Sequence, residues 1–273
     1  MRWPARLCAP PASSKQGRSC RLKIVVIGGT GIIGSKLVPL LRQRGQEVFA
    51  AAPSTGVSTL TREGLPEALA GAQVVVDVSN SPAREDAAVM AFFKISGQNL
   101  LAAEIAAGVR HHIALSVVGA DRLPDVGYLR AKVEQEALIK ASGTPYTILR
   151  ATEFFEFGGV IADASTEGDT VRVPAGALIQ PISSDDVASV LADIALGPPV
   201  NGTLEAAGPE RFSFKEFITR ALSVKNDKRK VVADPHARYF GTELERESLL
   251  AGPEARIGQT RYESWIGRSS AAR

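Results

Sequence analysis

The sequence predicts an α/β fold whose centre is a doubly wound parallel sheet. Short apolar runs alternate with stretches of helical periodicity from about residue 22 to residue 149. The apolar runs lack polar alternation, which is typical of strands that helices cover on both faces. Each run ends at turn-forming residues, as at Pro53-Ser54-Thr55-Gly56 and Ser79-Asn80-Ser81-Pro82. We therefore expect parallel strands joined by right-handed helical connections.

The predicted elements follow one another in a regular order. Strands are expected at 22–27, 47–52, 73–78, 111–116 and 145–149, with helices at 32–44, 85–107 and 129–141. Beyond Arg150 the pattern loosens. There the sequence predicts strands at 170–173, at 177–182 and after Gly202, and helices at 183–195, 213–222, 237–250 and 259–266.

Charge and composition exclude several classes of function. No apolar run reaches the roughly 18 residues that a membrane span needs. The net charge is +3, but six positive charges fall within the first 23 residues, which contain no acid, so the rest of the chain carries −3. Such a weakly acidic body is a poor binder of a phosphate backbone, and we expect neither a nucleic-acid partner nor a membrane partner.

The first 21 residues form a separate arm rich in Pro, Ser and Arg. The arm lacks the hydrophobic middle of a secretory signal. We expect it to be a disordered or mis-assigned start rather than a transit peptide, and the protein to be cytoplasmic. It holds both cysteines, Cys8 and Cys20, so the folded body has no thiol for a disulfide, a metal or a nucleophile. His111 and His112 are neighbours on a strand and point to opposite faces, so we expect no metal site.

A glycine-rich turn, Gly28-Gly29-Thr30-Gly31-Ile32-Ile33-Gly34, follows the first strand and opens the first helix. A side chain at its first positions would obstruct the turn or the approach of a pyrophosphate, and the last glycine lets the helix sit close to the strand. Backbone amides at the helix start then face the anion. The turn predicts a site for NAD(H) or NADP(H), bound by Gly28, Thr30, Gly31, Ile32, Ile33 and Gly34.

The residues after the second and third strands bear on the choice of cofactor. No carboxylate follows the second strand to exclude a 2′-phosphate, and Ser54 and Thr55 could donate hydrogen bonds to it, so we favour NADP(H) over NAD(H). The alternative is that these residues only form a turn. Ser79 and Asn80, at the carboxyl end of the third strand, either contact the cofactor ribose or form a simple turn.

Three residues suggest proton transfer at a carbonyl or alcohol oxygen. Tyr128 and Lys132 form Y-x-x-x-K near a helix start and share one face, and Ser116 ends the preceding strand. A lysine ammonium beside a phenol lowers the pKa of the phenol, so the tyrosine can exchange a proton while serine hydrogen-bonds the oxygen. Lys132 could also hold the nicotinamide ribose. The alternative is a surface helix on which Lys132 pairs with Glu136.

Taken together, these motifs resemble the short-chain dehydrogenase/reductase superfamily in its atypical NmrA-like branch. The resemblance spans about residues 22 to 196, and it rests on Gly28 to Gly34, Gln98 to Ala103 with Gly108-Val109, Ser116, Tyr128 with Lys132 through Glu136, Ile148-Leu149-Arg150, and Gln180-Pro181-Ile182 with Asp185 to Ala188. It implies a Rossmann core with a small C-terminal substrate lobe, NAD(P) binding, catalytic roles for Ser116, Tyr128 and Lys132, and pairing of helices in a homodimer.

Two positions depart from the family pattern. Lys94 stands where many members carry a catalytic asparagine, and Ala151 where a proline is usual.

The expected domains are the disordered arm at 1–21, a dinucleotide-binding Rossmann core at 22–157, and a C-terminal substrate lobe at 158–273 from which 179–206 returns to the core.

Aromatic residues follow the strand that ends at Arg150. Phe154, Phe155 and Phe157 either line an apolar substrate cleft or belong to the core. Glu153 is explained most simply by a polar helix start or an ion pair with Arg150. The tail, which contains Tyr239 and Phe240, is expected to close the lobe.

The function predicted from the sequence is an NAD(P)-dependent oxidoreductase that transfers a hydride to or from a small carbonyl or alcohol substrate, as a reductase or an epimerase-like enzyme. The alternative is an NmrA-like regulatory protein that senses the dinucleotide without turnover. A third reading, a structural subunit that keeps the fold, predicts no affinity for a dinucleotide.

Overall fold

The computed structural model describes residues 21–271, so the predicted arm, with both cysteines, lies outside the described residues apart from Arg21. The strands in the described part are β1 Lys23–Ile27, β2 Glu47–Ala51, β3 Val74–Asp77, β4 His111–Val117, β5 Tyr146–Ala151, β6 Thr166–Glu167, β7 Thr170–Pro174, β8 Leu178–Ile179, β9 Gly202–Ala207, β10 Phe212–Ser213, β11 Lys230–Asp234 and β12 Arg256–Ile257. The helices are α1 Gly34–Gln43, α2 Leu65–Leu69, α3 Asp86–Ala107, α4 Gly127–Ala141, α5 Gly158–Ala164, α6 Ser184–Ala195, α7 Phe214–Val224 and α8 Tyr262–Ala271.

A seven-stranded sheet forms the centre of the fold, in the order β12-β9-β5-β4-β3-β1-β2. β1 pairs in parallel with β2 on one side and with β3 on the other, and β3 pairs in parallel with β4. This order, with helices between successive strands, confirms the predicted doubly wound α/β fold. Among the described residues, no helix is both long and apolar enough to cross a bilayer.

The first compact unit contains the described residues up to Leu115, together with Glu134–Leu149 and Ala188–Thr203. β1 and β3 consist almost entirely of buried residues, and most of these are apolar. α1 buries Leu37 and Leu41 completely, and each such side chain stabilises the fold by about 1.5–3 kcal/mol. The continuous apolar strands are what the sequence analysis used to infer a sheet covered on both faces.

The second compact unit contains Ser116–Val133, Arg150–Val187 and the residues from Leu204 onward. It holds two small sheets, β10-β8 and β11-β7-β6. An aromatic cluster fills its core, where the Tyr262 ring contacts the rings of Phe155 and Phe217 with centroids 4.9 and 5.2 Å apart. Such aromatic contacts dominate the packing of a small core because each ring buries a large apolar area.

Two of the predicted elements are wrong. The helix at 237–250 does not form, because Phe240 and Gly241 have φ of +46° and +90°, which a right-handed helix excludes. The strand at 177–182 shortens to β8, which pairs with the two residues of β10 and forms an isolated bridge from Ile179 to Leu249, and Pro181 follows shortly after. The sequence analysis also missed β11, which pairs in parallel with β7.

Two buried histidines open β4, and their side chains have different partners. His111 Nε2 lies 2.9 Å from Thr147 Oγ1, and His111 Nδ1 has no hydrogen-bond partner among the described residues. His112 Nδ1 lies 2.8 Å from Glu104 Oε1. Within residues 21–271, no group of three His, Cys, Asp or Glu side chains is arranged to hold a metal ion.

We expect the protein to lose stability as the pH falls from about 6.5 to about 4. Burial, with a smaller contribution from His112, lowers the pKa of His111 from 6.5 to about 4. Between these values the unfolded chain binds a proton that the folded form excludes, so the free energy of unfolding falls by up to about 3 kcal/mol. Urea unfolding at pH 7 and pH 4.5 should show this loss in the wild type and a smaller one in His111→Gln. Equal losses in the two proteins would contradict the assignment to His111.

Candidate cofactor and active site

The glycine turn leaves no room for side chains at its two ends. Gly28 has a φ of +77°, and a Cβ there would lie 2.9 Å from the backbone of Ser79. A Cβ on Gly34 would lie 2.3 Å from the carbonyl oxygen of Gly28. Gly31 is different, because it is exposed and its Cβ would meet only Gly28 O, at 3.3 Å. Packing therefore requires Gly28 and Gly34, whereas the absence of a side chain at Gly31 keeps the outer surface of the turn open.

Backbone amides at this open surface are available to an anion. The amides of Gly28 and Gly29 both donate to Ala51 O, at 2.9 and 3.1 Å, and fix the turn to β2. Among the described residues, the amides of Thr30, Ile32 and Ile33 have no acceptor. Unsatisfied amides that immediately precede a helix form a site for a phosphate, so the turn fits the pyrophosphate of a dinucleotide.

Of the two residues predicted to contact a 2′-phosphate, Thr55 already forms hydrogen bonds within the turn after β2. Thr55 Oγ1 accepts a hydrogen bond from Ala52 N at 2.9 Å and lies 2.9 Å from the carbonyl oxygens of Ala50 and Ala52. Ser54 is exposed, and residues 50–56 contain no carboxylate. Ser54 is therefore the more available of the two hydroxyls.

Asp77 and Gln135, which the sequence analysis missed, support the turn after β3. Asp77 Oδ1 accepts hydrogen bonds from Ser79 N at 3.0 Å and from Ser79 Oγ at 2.6 Å. Asp77 Oδ2 accepts a hydrogen bond from Gln135 Nε2 at 2.9 Å. Asn80 Oδ1 accepts from Ser81 N, as in a turn. Turn formation by Ser79 and Asn80 is thus observed, and their contact with a ribose stays a prediction.

Ser116, Tyr128 and Lys132 all belong to the second unit. Ser116 lies near the end of β4 and is buried, and Tyr128 is half-buried in the first turn of α4. Lys132 follows one turn later, with only 2% of its surface exposed. The surface position in the alternative is wrong, because the Lys132 side chain is buried, and lysine is almost never buried unless its charge is compensated. Its burial beside a tyrosine on one helix face favours a functional role.

The pKa of Tyr128 differs from the sequence-based expectation. Burial raises the pKa well above the usual value of 10, and the charge of Glu153 raises it further. The net shift of the Tyr128 pKa is therefore opposite to the lowering expected from the sequence, and burial is its largest cause. As a consequence, the Tyr128 phenol keeps its proton at neutral pH and is suited to donate it.

Glu153 has a partner that the sequence did not reveal. Its Oε1 accepts a hydrogen bond from Tyr239 Oη at 2.6 Å. Burial raises the pKa of Glu153, and the hydrogen bond from Tyr239 partly opposes this. Arg150, the partner considered from the sequence, instead pairs with Asp121 at 2.7 Å. Tyr239 lies 86 residues away along the chain, in a region predicted as helix, so no local pattern indicated the contact.

The three phenylalanines after β5 have different surroundings. Phe155 is buried in the aromatic core, so it belongs to the core and does not line a substrate cleft. The rings of Phe154 and Phe157 stack with centroids 5.4 Å apart and are partly exposed. For these two residues, lining of a substrate cleft stays a prediction.

Comparison with known proteins identifies the family. Residues 28–198 match the model of a family described as NAD(P)H-binding, which is more than half of the 273 residues. The chain belongs to the NAD(P)H-binding family. This membership and the fold agree with the NAD(P) binding and the Rossmann core that the resemblance to short-chain dehydrogenases/reductases implied.

Two curated proteins are similar in sequence to this chain. The chain is 31% identical to divinyl chlorophyllide a 8-vinyl-reductase of Cucumis sativus over 68% of this chain and 52% of the relative. It is 26% identical to photosystem II assembly factor Ycf39 of Cyanophora paradoxa over 50% of this chain and 46% of the relative. The chain thus spans about half the length of these relatives.

The structural comparison shows the fold. MoeE5 in complex with UDP-glucose and NAD superposes with a TM-score of 0.68 and 18% identity, covering 92% of this chain and 99% of that one. At this identity the likeness concerns the fold alone. It agrees with the seven-stranded sheet described above.

Proposed function

We propose that the chain is an NAD(P)-dependent oxidoreductase that reduces a small carbonyl compound or oxidises the corresponding alcohol, with Tyr128 as the acid/base. The observation that carries this proposal is the buried Lys132 one helical turn after Tyr128, in a chain of the NAD(P)H-binding family. A buried lysine one helical turn from a phenol has a clear use in proton transfer and little use in packing.

Each residue has a distinct role in the proposed reaction. The amides of Thr30, Ile32 and Ile33 bind the pyrophosphate of the cofactor. When bound, the nicotinamide supplies or accepts the hydride. In the reducing direction, Tyr128 donates its proton to the carbonyl oxygen, and Ser116 donates a hydrogen bond to the same oxygen. The charge of Lys132 stabilises the phenolate that Tyr128 becomes when it has donated its proton. A proton from solvent then restores the phenol before the next cycle.

A dinucleotide sensor without turnover is the second candidate. The raised pKa of Tyr128 favours it, because a phenol that keeps its proton in the isolated chain is not activated as a base. One relative is, moreover, an assembly factor by name. The sensor requires the same glycine turn but no function for Tyr128.

The two candidates differ in turnover but agree in binding. Calorimetry with NADPH and NADH measures binding, and absorbance at 340 nm with a panel of aldehydes and ketones measures turnover. Binding with turnover supports the oxidoreductase. Binding without turnover of any member of the panel in either direction supports the sensor, and absence of binding contradicts both.

Replacing Ser54 by aspartate is expected to reverse the preference for NADPH. The new carboxylate would repel the 2′-phosphate and accept hydrogen bonds from the ribose hydroxyls of NADH. We expect the Kd for NADPH to rise about tenfold or more, and the Kd for NADH to stay within about threefold, both measured by calorimetry. Ser54→Ala is the matched control without charge. A wild type that binds NADH more tightly than NADPH would show that the assigned preference is wrong.

A further inference from the structure

We propose that Glu153, Tyr239 and Phe240 form a recognition subsite for a substrate that carries a planar ring and a hydrogen-bond donor. We name these three residues the Phe240 subsite. The inference rests on the proposed function, because the subsite would hold a substrate for proton transfer by Tyr128. It goes beyond that function by defining the chemical class of the substrate.

The first observation is a tight turn that presents an aromatic ring. Tyr239 N donates to Thr242 O at 2.8 Å, and Thr242 N donates to Tyr239 O at 3.1 Å. The two central residues, Phe240 and Gly241, have φ of +46° and +90°. These are the features of a type I′ turn, in which asparagine, aspartate or glycine is strongly preferred at the first central position. A phenylalanine there is disfavoured by the contact of its Cβ with the backbone.

Packing does not explain why a phenylalanine occupies this position. The Phe240 side chain is 48% exposed, and it contacts the ring of Tyr239 edge-on, with centroids 4.7 Å apart. A large apolar side chain is thus held in a strained conformation and left half in solvent. Strained residues of this kind cluster at active sites, ligand-binding positions and switch regions. A planar group that stacks on the exposed face of Phe240 would bury this surface.

The second observation is a carboxyl group with spare hydrogen-bonding capacity. Glu153 Oε1 accepts the hydrogen bond from Tyr239 Oη, and among the described residues Glu153 Oε2 has no hydrogen-bond partner. Within the same part of the chain, no cation forms an ion pair with Glu153. A carboxylate in this state accepts a hydrogen bond from an N–H or O–H group and repels an anion.

The third observation connects this subsite to Tyr128. The charge of Glu153 raises the pKa values of both Tyr128 and Tyr239, and Tyr128 also affects Tyr239. The three acidic groups therefore lie within electrostatic range of one another in the same unit. Phe240 contacts Tyr239, which hydrogen-bonds to Glu153, so the Phe240 ring lies two contacts away from Glu153. In this proposal, a substrate held at Tyr128 also contacts the Glu153 carboxyl and the Phe240 ring.

The inference is tested with 1-naphthylamine, a neutral fluorescent probe that combines a planar ring with an N–H donor. The full chain is titrated with the probe in the presence and absence of NADP⁺, as wild type, Phe240→Asn, Glu153→Gln and Phe49→Ala. Phe49, on β2, is an exposed aromatic residue outside the subsite and serves as the control. We expect saturable binding to the wild type, weakened about five- to tenfold by Phe240→Asn and by Glu153→Gln, and changed less than about twofold by Phe49→Ala.

Thermal melting separates a loss of binding from a loss of folding. Asparagine suits the first central position of a type I′ turn, so Phe240→Asn should melt at or above the temperature of the wild type while it binds the probe less tightly. The subsite is overturned if the wild type shows no saturable binding or if Phe240→Asn binds as tightly as the wild type. NADPH titration of the same proteins tests the proposed function separately. Probe binding without cofactor binding would overturn the oxidoreductase and leave the subsite standing.

Discussion

Replacing Tyr128 by phenylalanine is expected to lower kcat for reduction of a carbonyl substrate by about 10²- to 10⁴-fold. The substitution keeps the ring and removes only the proton that the carbonyl oxygen would receive. The Kd for NADPH should change by less than about twofold, because the cofactor is bound through the amides of the glycine turn. Stopped-flow measurement of NADPH oxidation, with calorimetry for binding, gives both quantities.

Tyr146→Phe is the matched control for this experiment. It removes a phenol from β5, outside the candidate site, and kcat should stay within about twofold of the wild type. A Tyr128→Phe variant that reduces the substrate as fast as the wild type would assign the proton to another donor. Equal turnover by both variants would exclude Tyr128 as the acid.

The pH dependence of the wild type follows from the raised pKa of Tyr128. Burial and Glu153 both favour the protonated phenol, so the form that donates a proton persists to above pH 10. Reduction should therefore keep its rate between pH 7 and 9, whereas oxidation, which needs the phenolate, should accelerate as the pH rises over the same range. Both rates thus depend on the ionisation of Tyr128: reduction requires the phenol, and oxidation requires the phenolate.

Much of the fold could be predicted from the sequence, because its first half consists of short-range patterns. The apolar runs of β1 and β3 and the helical spacing of Leu37 and Leu41 each fit within one element, so periodicity identifies them. The second half depends on pairings between distant segments. β11 is a strand because it pairs with β7, about 60 residues away, and its own sequence gives little indication of this.

The candidate site likewise combines local motifs, which the sequence reveals, with contacts between distant residues, which it does not. The glycine turn and the Tyr128/Lys132 pair are local motifs that the sequence displays directly. The supporting contacts are not local. Asn99 Nδ2 donates to the carbonyl oxygens of Thr59 and Leu60, and its Oδ1 accepts from Arg62 Nε, so one buried amide fixes the loop after β2. Such contacts arise only when the chain has folded, and no spacing rule predicts them.

Replacing Gly34 by alanine is expected to abolish cofactor binding and to destabilise the first unit. The new Cβ would lie 2.3 Å from Gly28 O and 2.5 Å from the Gly29 Cα, and both are backbone atoms that can move only if the turn opens. Overpacking of this kind costs about 1–3 kcal/mol, and a displaced turn no longer aims the amides of Ile32 and Ile33 at one phosphate. We expect the Kd for NADPH to rise at least about 100-fold, as measured by calorimetry, and the melting temperature to fall by several degrees.

Two further glycines separate the effect on binding from the effect on folding. A Cβ on Gly31 meets only Gly28 O, at 3.3 Å, so Gly31→Ala should keep its melting temperature but weaken NADPH binding, because the methyl group occupies the surface that the pyrophosphate approaches. On α8, a Cβ on Gly267 meets nothing within 4 Å, and Gly267→Ala should bind NADPH normally and melt slightly higher. If Gly31→Ala bound NADPH as tightly as Gly267→Ala, the pyrophosphate could not lie against this turn, since a methyl group at residue 31 would then obstruct nothing.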